Sequence, residues 1–175
     1  SFIGVSTSAL MLGTVLVVCA GTSDLPVARE AAVTARVLGC VVEELVDVGV
    51  AGIHRLLGRS DKLREAAVII VVAGMEGALP SVVGGLVAVP VIAVPIETKC
   101  AGGLDSLLAM VQMPSGVPVA CVAIGGAKNA GILAAQIVAT GDAALRERIV
   151  KFKTKIADEA RAKNRKLRES LAAEK

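Results

Sequence analysis

The sequence predicts a single α/β domain built on a parallel sheet, and three observations carry that reading. Hydrophobic residues make up 54% of the 175, yet there are two Phe and no Trp or Tyr, so the apolar content is Val, Ile, Leu and Ala. That material is gathered in short Val-rich runs without polar alternation, as in strands buried on both faces. Each run ends in a glycine-rich turn followed by a helical pattern, and strands alternating with helices imply parallel pairing through right-handed crossovers. The length suits one domain of about 100–200 residues. So apolar a chain is not disordered. The Gly and Pro breaks argue against an all-α bundle, and the lack of aromatics argues against a base-stacking nucleic-acid module.

The elements follow in order. Thr14 to Ala20 is a first strand, Gly21-Thr-Ser-Asp24 its turn, and Pro26 opens a helix to about Leu38 with Asp24 expected as N-cap. Cys40 to Val48 reads as a second strand, blurred by Glu43 and Glu44, with a short helix holding His54 and Arg55 after it. Val68–Ala73 is the third strand, followed by Gly74 to Pro80 and a helix of small residues. Val91–Val94 is the fourth, followed by the polar loop 97–103 and a helix through Met110. Val119 to Ile124 is the fifth, leading through Gly125 to Gly131 into another helix. Leu145, Ile149, Phe152 and Ile156 share one helical face, continued by Leu167 and Leu171. At about 1.5 Å per residue that helix reaches about 45 Å, too long for one small sheet, so part of its stripe is expected on another subunit. The chain thus divides into a domain over 14–142 and a tail helix over 143–175.

Charge and cysteine usage narrow the function classes. The tail 143–175 holds 11 Lys/Arg against 5 Asp/Glu, and the remainder is net acidic. Interspersed acids favour a solvated helix face over a polyanion site, so no nucleic-acid partner is expected. Cys19, Cys40, Cys100 and Cys121 form no C-x-x-C pair and there is one histidine, so no zinc set is expected. Reduced thiols in the cytoplasm are the simplest reading. The apolar stretch from Ala66 to Ile96 contains Glu76, prolines and glycines and divides into strand, loop, helix and strand, while residues 9–20 are too few to span a bilayer. No membrane partner is therefore expected. The chain starts at Ser1 rather than Met, which leaves room for an upstream leader, organelle import or a further domain.

Candidate chemistry gathers in the turns, since ligands of open parallel sheets bind beyond the carboxyl ends of the strands. Gly21 permits close approach, Ser23 and backbone amides can donate to a phosphate, and Asp24 suits ribose hydroxyls; a plain capping turn is the competing reading. His54, the one histidine, is either structural or a proton carrier beside Arg55, a cation suited to phosphate. Glu76 breaks an apolar run, which is costly unless the carboxylate is paired or functional. Cys100 beside Lys99 is a weak covalent candidate with no second base in view.

From Ile92 onward the chain resembles the aminoimidazole ribonucleotide carboxylase family of purine biosynthesis. The matching segments are Val94-Pro-Ile-Glu-Thr-Lys-Cys-Ala-Gly-Gly-Leu-Asp-Ser-Leu107, Val111-Gln-Met-Pro-Ser-Gly-Val-Pro-Val119 and Ala123-Ile-Gly-Gly-Ala-Lys-Asn-Ala-Gly131. From Ala20 to Val91 it is more similar to the related carboxylase family of nickel-pincer-nucleotide synthesis. That likeness is carried by Gly21-Thr-Ser-Asp-Leu-Pro-Val-Ala28, Asp47-Val-Gly-Val-Ala-Gly-Ile-His-Arg55 and Val72 through Gly85. The resemblance implies a flavodoxin-like three-layer sandwich, a nucleotide-binding carboxylase domain over 14–142, and a homo-oligomer, an octamer by analogy. It implies carboxyl transfer on aminoimidazole ribonucleotide, with carbon dioxide or bicarbonate as co-substrate and no metal or organic cofactor.

By the same resemblance His54 carries the proton, Gly21, Ser23 and Asp24 bind the nucleotide, and Arg55 holds phosphate. Gly74, Met75, Glu76, Gly77 and Leu79 then wall a dry pocket for carbon dioxide. The departures are specific. Gly52-Ile53 replaces the purine family's Ser-Ala before His-Arg, and Ala78 stands where the bacterial mutases have histidine before Leu-Pro. The nickel-pincer family's nucleophilic cysteine has no counterpart in Val111 to Gly116, which favours the imidazole substrate. The alternatives are a pyridinium dicarboxylate mononucleotide synthase acting on nicotinate adenine dinucleotide, and a non-catalytic nucleotide-binding scaffold.

Overall fold

The computed structural model describes residues 13–99 and 101–173. Five strands, β1 (Thr14–Cys19), β2 (Val41–Leu45), β3 (Val68–Ala73), β4 (Val91–Pro95) and β5 (Ala120–Cys121), form one sheet in the order β2-β1-β3-β4-β5. Every pairing is parallel; Val15 stands opposite Val42 on one side and Val68 on the other. The helices are α1 (Leu25–Leu38), α2 (Ile53–Leu57), α3 (Ser60–Glu65), α4 (Leu79–Leu86), α5 (Leu104–Val111), α6 (Ala127–Val138) and α7 (Ala143–Ala173). This is the doubly wound flavodoxin-like order, whose direction of winding reverses between β1 and β3.

The three layers follow from the strand period of two. Val15, Val17, Cys19, Ile70, Val72, Ile92 and Val94 turn to the face covered by α1, α6 and the start of α7. Leu16, Val18, Ile69, Val71, Ala73 and Ala93 turn to the other, against Leu56, Leu63, Leu79, Val83 and Met110. On the first face the helices come close because their contact residues are small. Ala31 and Ala35 of α1 meet Ala130, Gly131 and Ala134 of α6, and a Cβ on Gly131 would lie 2.7 Å from the Ala31 carbonyl oxygen.

β1 ends one residue early, at Cys19, and the two edge strands fall shorter still. β2 stops at Leu45, three residues before the expected end, because the amides of Val48 and Gly49 turn back to the carbonyls of Cys19 and Ala20 at the tip of β1. Its two glutamates are explained by that edge. The Lys62 ammonium donates to Glu43 at 2.9 Å and the Arg36 guanidinium to Glu44 at 2.7 Å. β5 keeps two ladder residues of the six expected, since Gly125 takes a positive φ of 67° and its amide bonds the Pro95 carbonyl, bending the chain off the sheet. Among the described residues no helix is long and apolar enough to cross a membrane.

Candidate active site at the carboxyl ends of the strands

The turn after β1 is a single 3-10 turn, Thr22–Asp24, running directly into α1. Asp24 does not cap α1 as expected. Its backbone is helical (φ −85°, ψ −10°), whereas a capping residue needs extended backbone to reach forward. Pro26 in the first turn of α1 also has no amide to offer. The carboxylate reaches back instead, accepting from the Gly21 amide at 2.9 Å and from the Ser23 hydroxyl at 3.1 Å. Asp24 is 7% exposed, so the turn carries a nearly buried, fixed anion at its base.

The turn after β3 lies beside it. A Cβ on Gly74 would sit 3.9 Å from both an Asp24 carboxylate oxygen and Ile96, so only a small residue keeps the space between these turns open. Glu76 and Gly77 are both left-handed, with φ of 57° and 62°. Contrary to the expectation of a carboxylate stranded among apolar residues, Glu76 is exposed and needs no buried partner. Leu79 is 1% exposed and belongs to the core under the sheet, while Met75 is 76% exposed.

The third wall is the turn after β4, braced by its own side chains. The Thr98 hydroxyl donates to Asp105 at 2.7 Å and holds its carboxyl below the usual carboxylate value. The same oxygen accepts from the amides of Ala101 and Gly103 at 3.4 Å, and the buried Ser106 hydroxyl lies 2.9 Å from the carbonyls of Ile96 and Gly103. A groove of about 590 Å³ runs between Ser23, Asp24, Gly74 and Met75 on one side and residues 96–99 on the other. The structure thus brings together four of the expected site residues. Ile96, Glu97, Thr98 and Lys99 were not expected to join them, since their place opposite depends on the strand order. Cys100 lies outside the described residues.

His54 and Arg55 sit on α2, after the neighbouring strand β2. The bonds from Val48 and Gly49 to the tip of β1 seat this loop next to Gly21, at the same end of the sheet. Both side chains are exposed, and neither, like Gly21, Glu76, Gly77 and Leu79, lines the groove. The Arg55 Nε donates to the Asp47 carbonyl at 2.8 Å, and its Nη2 lies 3.5 Å from the Asp47 carboxylate. Burial pushes the thiols of Cys19, Cys40 and Cys121 up. For Cys19 the Asp47 amide opposes that shift, while the charges of Asp24, Glu44 and Asp47 add to it. A raised pKa leaves less of the nucleophilic thiolate at neutral pH. Among the described residues no three His, Cys, Asp or Glu side chains are placed to hold a metal ion.

Fixed hydroxyls, one nearly buried carboxylate and one lysine, set among glycine turns at a switch point, define a flavodoxin-like α/β protein with a small-ligand crevice. A solved structure of a Treponema denticola PurE2 variant shares that fold with a TM-score of 0.79, covering 88% of this chain and 97% of its own at 23% identity. The family model for AIR carboxylase matches residues 14–159, and the chain belongs to the AIR carboxylase family. An N5-carboxyaminoimidazole ribonucleotide mutase of Mycobacterium leprae is 45% identical over 68% of this chain and 73% of its own length. One of Pyrococcus horikoshii is 36% identical over 87% of this chain and 88% of its own.

Proposed function

We propose that the protein is a carboxyl-transferring enzyme that interconverts the N-carboxy and C-carboxy isomers of aminoimidazole ribonucleotide in purine biosynthesis. The observation that carries this reading is family membership over 14–159, coincident with a groove at the switch point of the sheet. The fixed Asp24 carboxylate suits ribose hydroxyls, and the exposed Arg55 suits the phosphate.

The chemistry balances around one imidazole. The N–C bond of the carbamate breaks, carbon dioxide leaves, and the amine nitrogen takes a proton. The electron-rich ring carbon attacks the carbon dioxide, forming the C–C bond, and releases its hydrogen as a proton. His54 supplies the first proton and receives the second, so it ends the cycle as it began. Imidazole suits both halves because its ring can give and take a proton in turn. Gly74 and Met75 of the turn after β3 line the groove where the released carbon dioxide is held between the two steps. No organic or metal cofactor is assigned.

The assembly in this reading is a homo-octamer working in the cytoplasm. Val150, Ile156, Leu167 and Leu171 of α7 are 44–59% exposed, which supports α7 packing on a neighbouring subunit. The test incubates the protein with the N-carboxy isomer of aminoimidazole ribonucleotide labelled in its carboxyl group, and separately with nicotinate adenine dinucleotide and labelled bicarbonate. Label in the imidazole carboxylate is expected; label in the pyridine alone overturns the reading. His54→Asn is expected to abolish turnover while leaving nucleotide affinity within about threefold, and turnover that survives removes His54 from the mechanism.

A further inference from the structure

We propose that Asp47 is a positioning residue that fixes the Arg55 guanidinium for the phosphate of the bound nucleotide. The inference rests on the carboxyl-transfer reading for the identity of that phosphate ester. Asp47 and Glu76 are the two non-glycine residues with positive φ among the described residues, Asp47 at 60°. Aspartate tolerates this left-handed backbone better than most side chains. The turn is held by two successive amides that return to the end of β1. Val48 bonds the Cys19 carbonyl at 3.3 Å and Gly49 the Ala20 carbonyl at 2.9 Å.

So tied, the turn aims the Asp47 carbonyl at Arg55. Nε is occupied at 2.8 Å, while Nη2, at 3.5 Å from the carboxylate, is beyond a good hydrogen bond and keeps its hydrogens for another acceptor. The guanidinium lies over Gly52, where any Cβ would fall 2.7 Å from its central carbon. A side chain at position 52 would therefore require the Arg55 side chain to shift. The Arg55 side chain is 44% exposed, with Nε tied to the Asp47 carbonyl. A guanidinium held in place before binding loses less freedom when it meets a phosphate.

The test compares Asp47→Val, Asp47→Gly and Asp47→Asn. Valine resists left-handed backbone, whereas glycine and asparagine adopt it. Asp47→Val is expected to raise the KM for the nucleotide about tenfold with kcat within about twofold, and Asp47→Gly and Asp47→Asn to stay within about threefold of wild type. The inhibition constant of inorganic phosphate is expected to rise with that KM. Unchanged KM in Asp47→Val, a loss confined to kcat, or equal impairment in Asp47→Gly overturns the proposal. Should Asp47→Val fail to fold, Asp47→Ala takes its place with the same expectations. Should the wild type transfer no carboxyl group, the functional reading fails on its own. Calorimetric titration of the same variants with inorganic phosphate then decides the positioning role: weaker binding in Asp47→Val alone supports it, and equal binding overturns it.

Discussion

Thr98 shows how one hydroxyl organises a wall of the groove. It donates to Asp105 and accepts from two amides of its own loop, so removing it frees a carboxylate and a turn together. The bond to the hydroxyl favours the charged carboxylate and lowers the Asp105 pKa. The linked stability is accordingly complete above the unfolded value of about 3.9 and is lost as pH falls through the lower folded value. Thr98→Val is expected to return the Asp105 pKa toward that ordinary value, read by NMR titration of the Asp105 carboxyl. An unchanged titration would mean that the bond does not persist in solution. Gly77 shows a different necessity, since its left-handed backbone and a Cβ only 2.8 Å from Ala109 both exclude a side chain.

Among the elements, the crossing of α1 and α6 decides how the first face of the sheet is covered. Gly131 is within α6, where alanine would be the better helix former by about 1 kcal/mol. Packing outweighs that gain. The added methyl would stand 2.7 Å from the Ala31 carbonyl and 2.8 Å from Thr34 Cβ, and backbone cannot step aside as a flexible side chain does. Gly131→Ala is expected to destabilise the fold by about 1–3 kcal/mol, measured as a lower denaturant midpoint at unchanged slope. The surface ion pairs along β2 matter less, since exposed pairs contribute about 0–1 kcal/mol.

At the scale of the whole molecule, α7 is covered only in part by its own domain. Leu145 and Ile149 dock on the domain, but Ile156, Leu167 and Leu171 are exposed on the same helix. Leu167→Lys combined with Leu171→Lys is expected to leave the domain folded by circular dichroism and to reduce the assembly mass seen by light scattering. An unchanged mass would place the subunit contacts elsewhere on the surface.

The α/β class, the five strands and the helices between them apart from α3 were legible in the sequence because parallel strands buried on both faces need continuous Val and Ile runs, and glycine turns punctuate them. Ser23 and Asp24 were legible as candidates because turns after such strands collect at one edge; Gly74 and Met75 were legible only through the family resemblance. Strand order was not, and without it nothing marked 96–99 as the opposite wall. Nor could spacing reveal that Asp24 reaches back to Gly21, that Glu76 is exposed, or that Gly52 makes room for Arg55. Each of those depends on a backbone angle or on a neighbour distant in the chain. Periodicity and turn chemistry act within a few residues, so the sequence by itself determined the elements and the end of the sheet at which chemistry gathers. Only the tertiary structure decided which turns face one another, because that follows from sheet order and close packing.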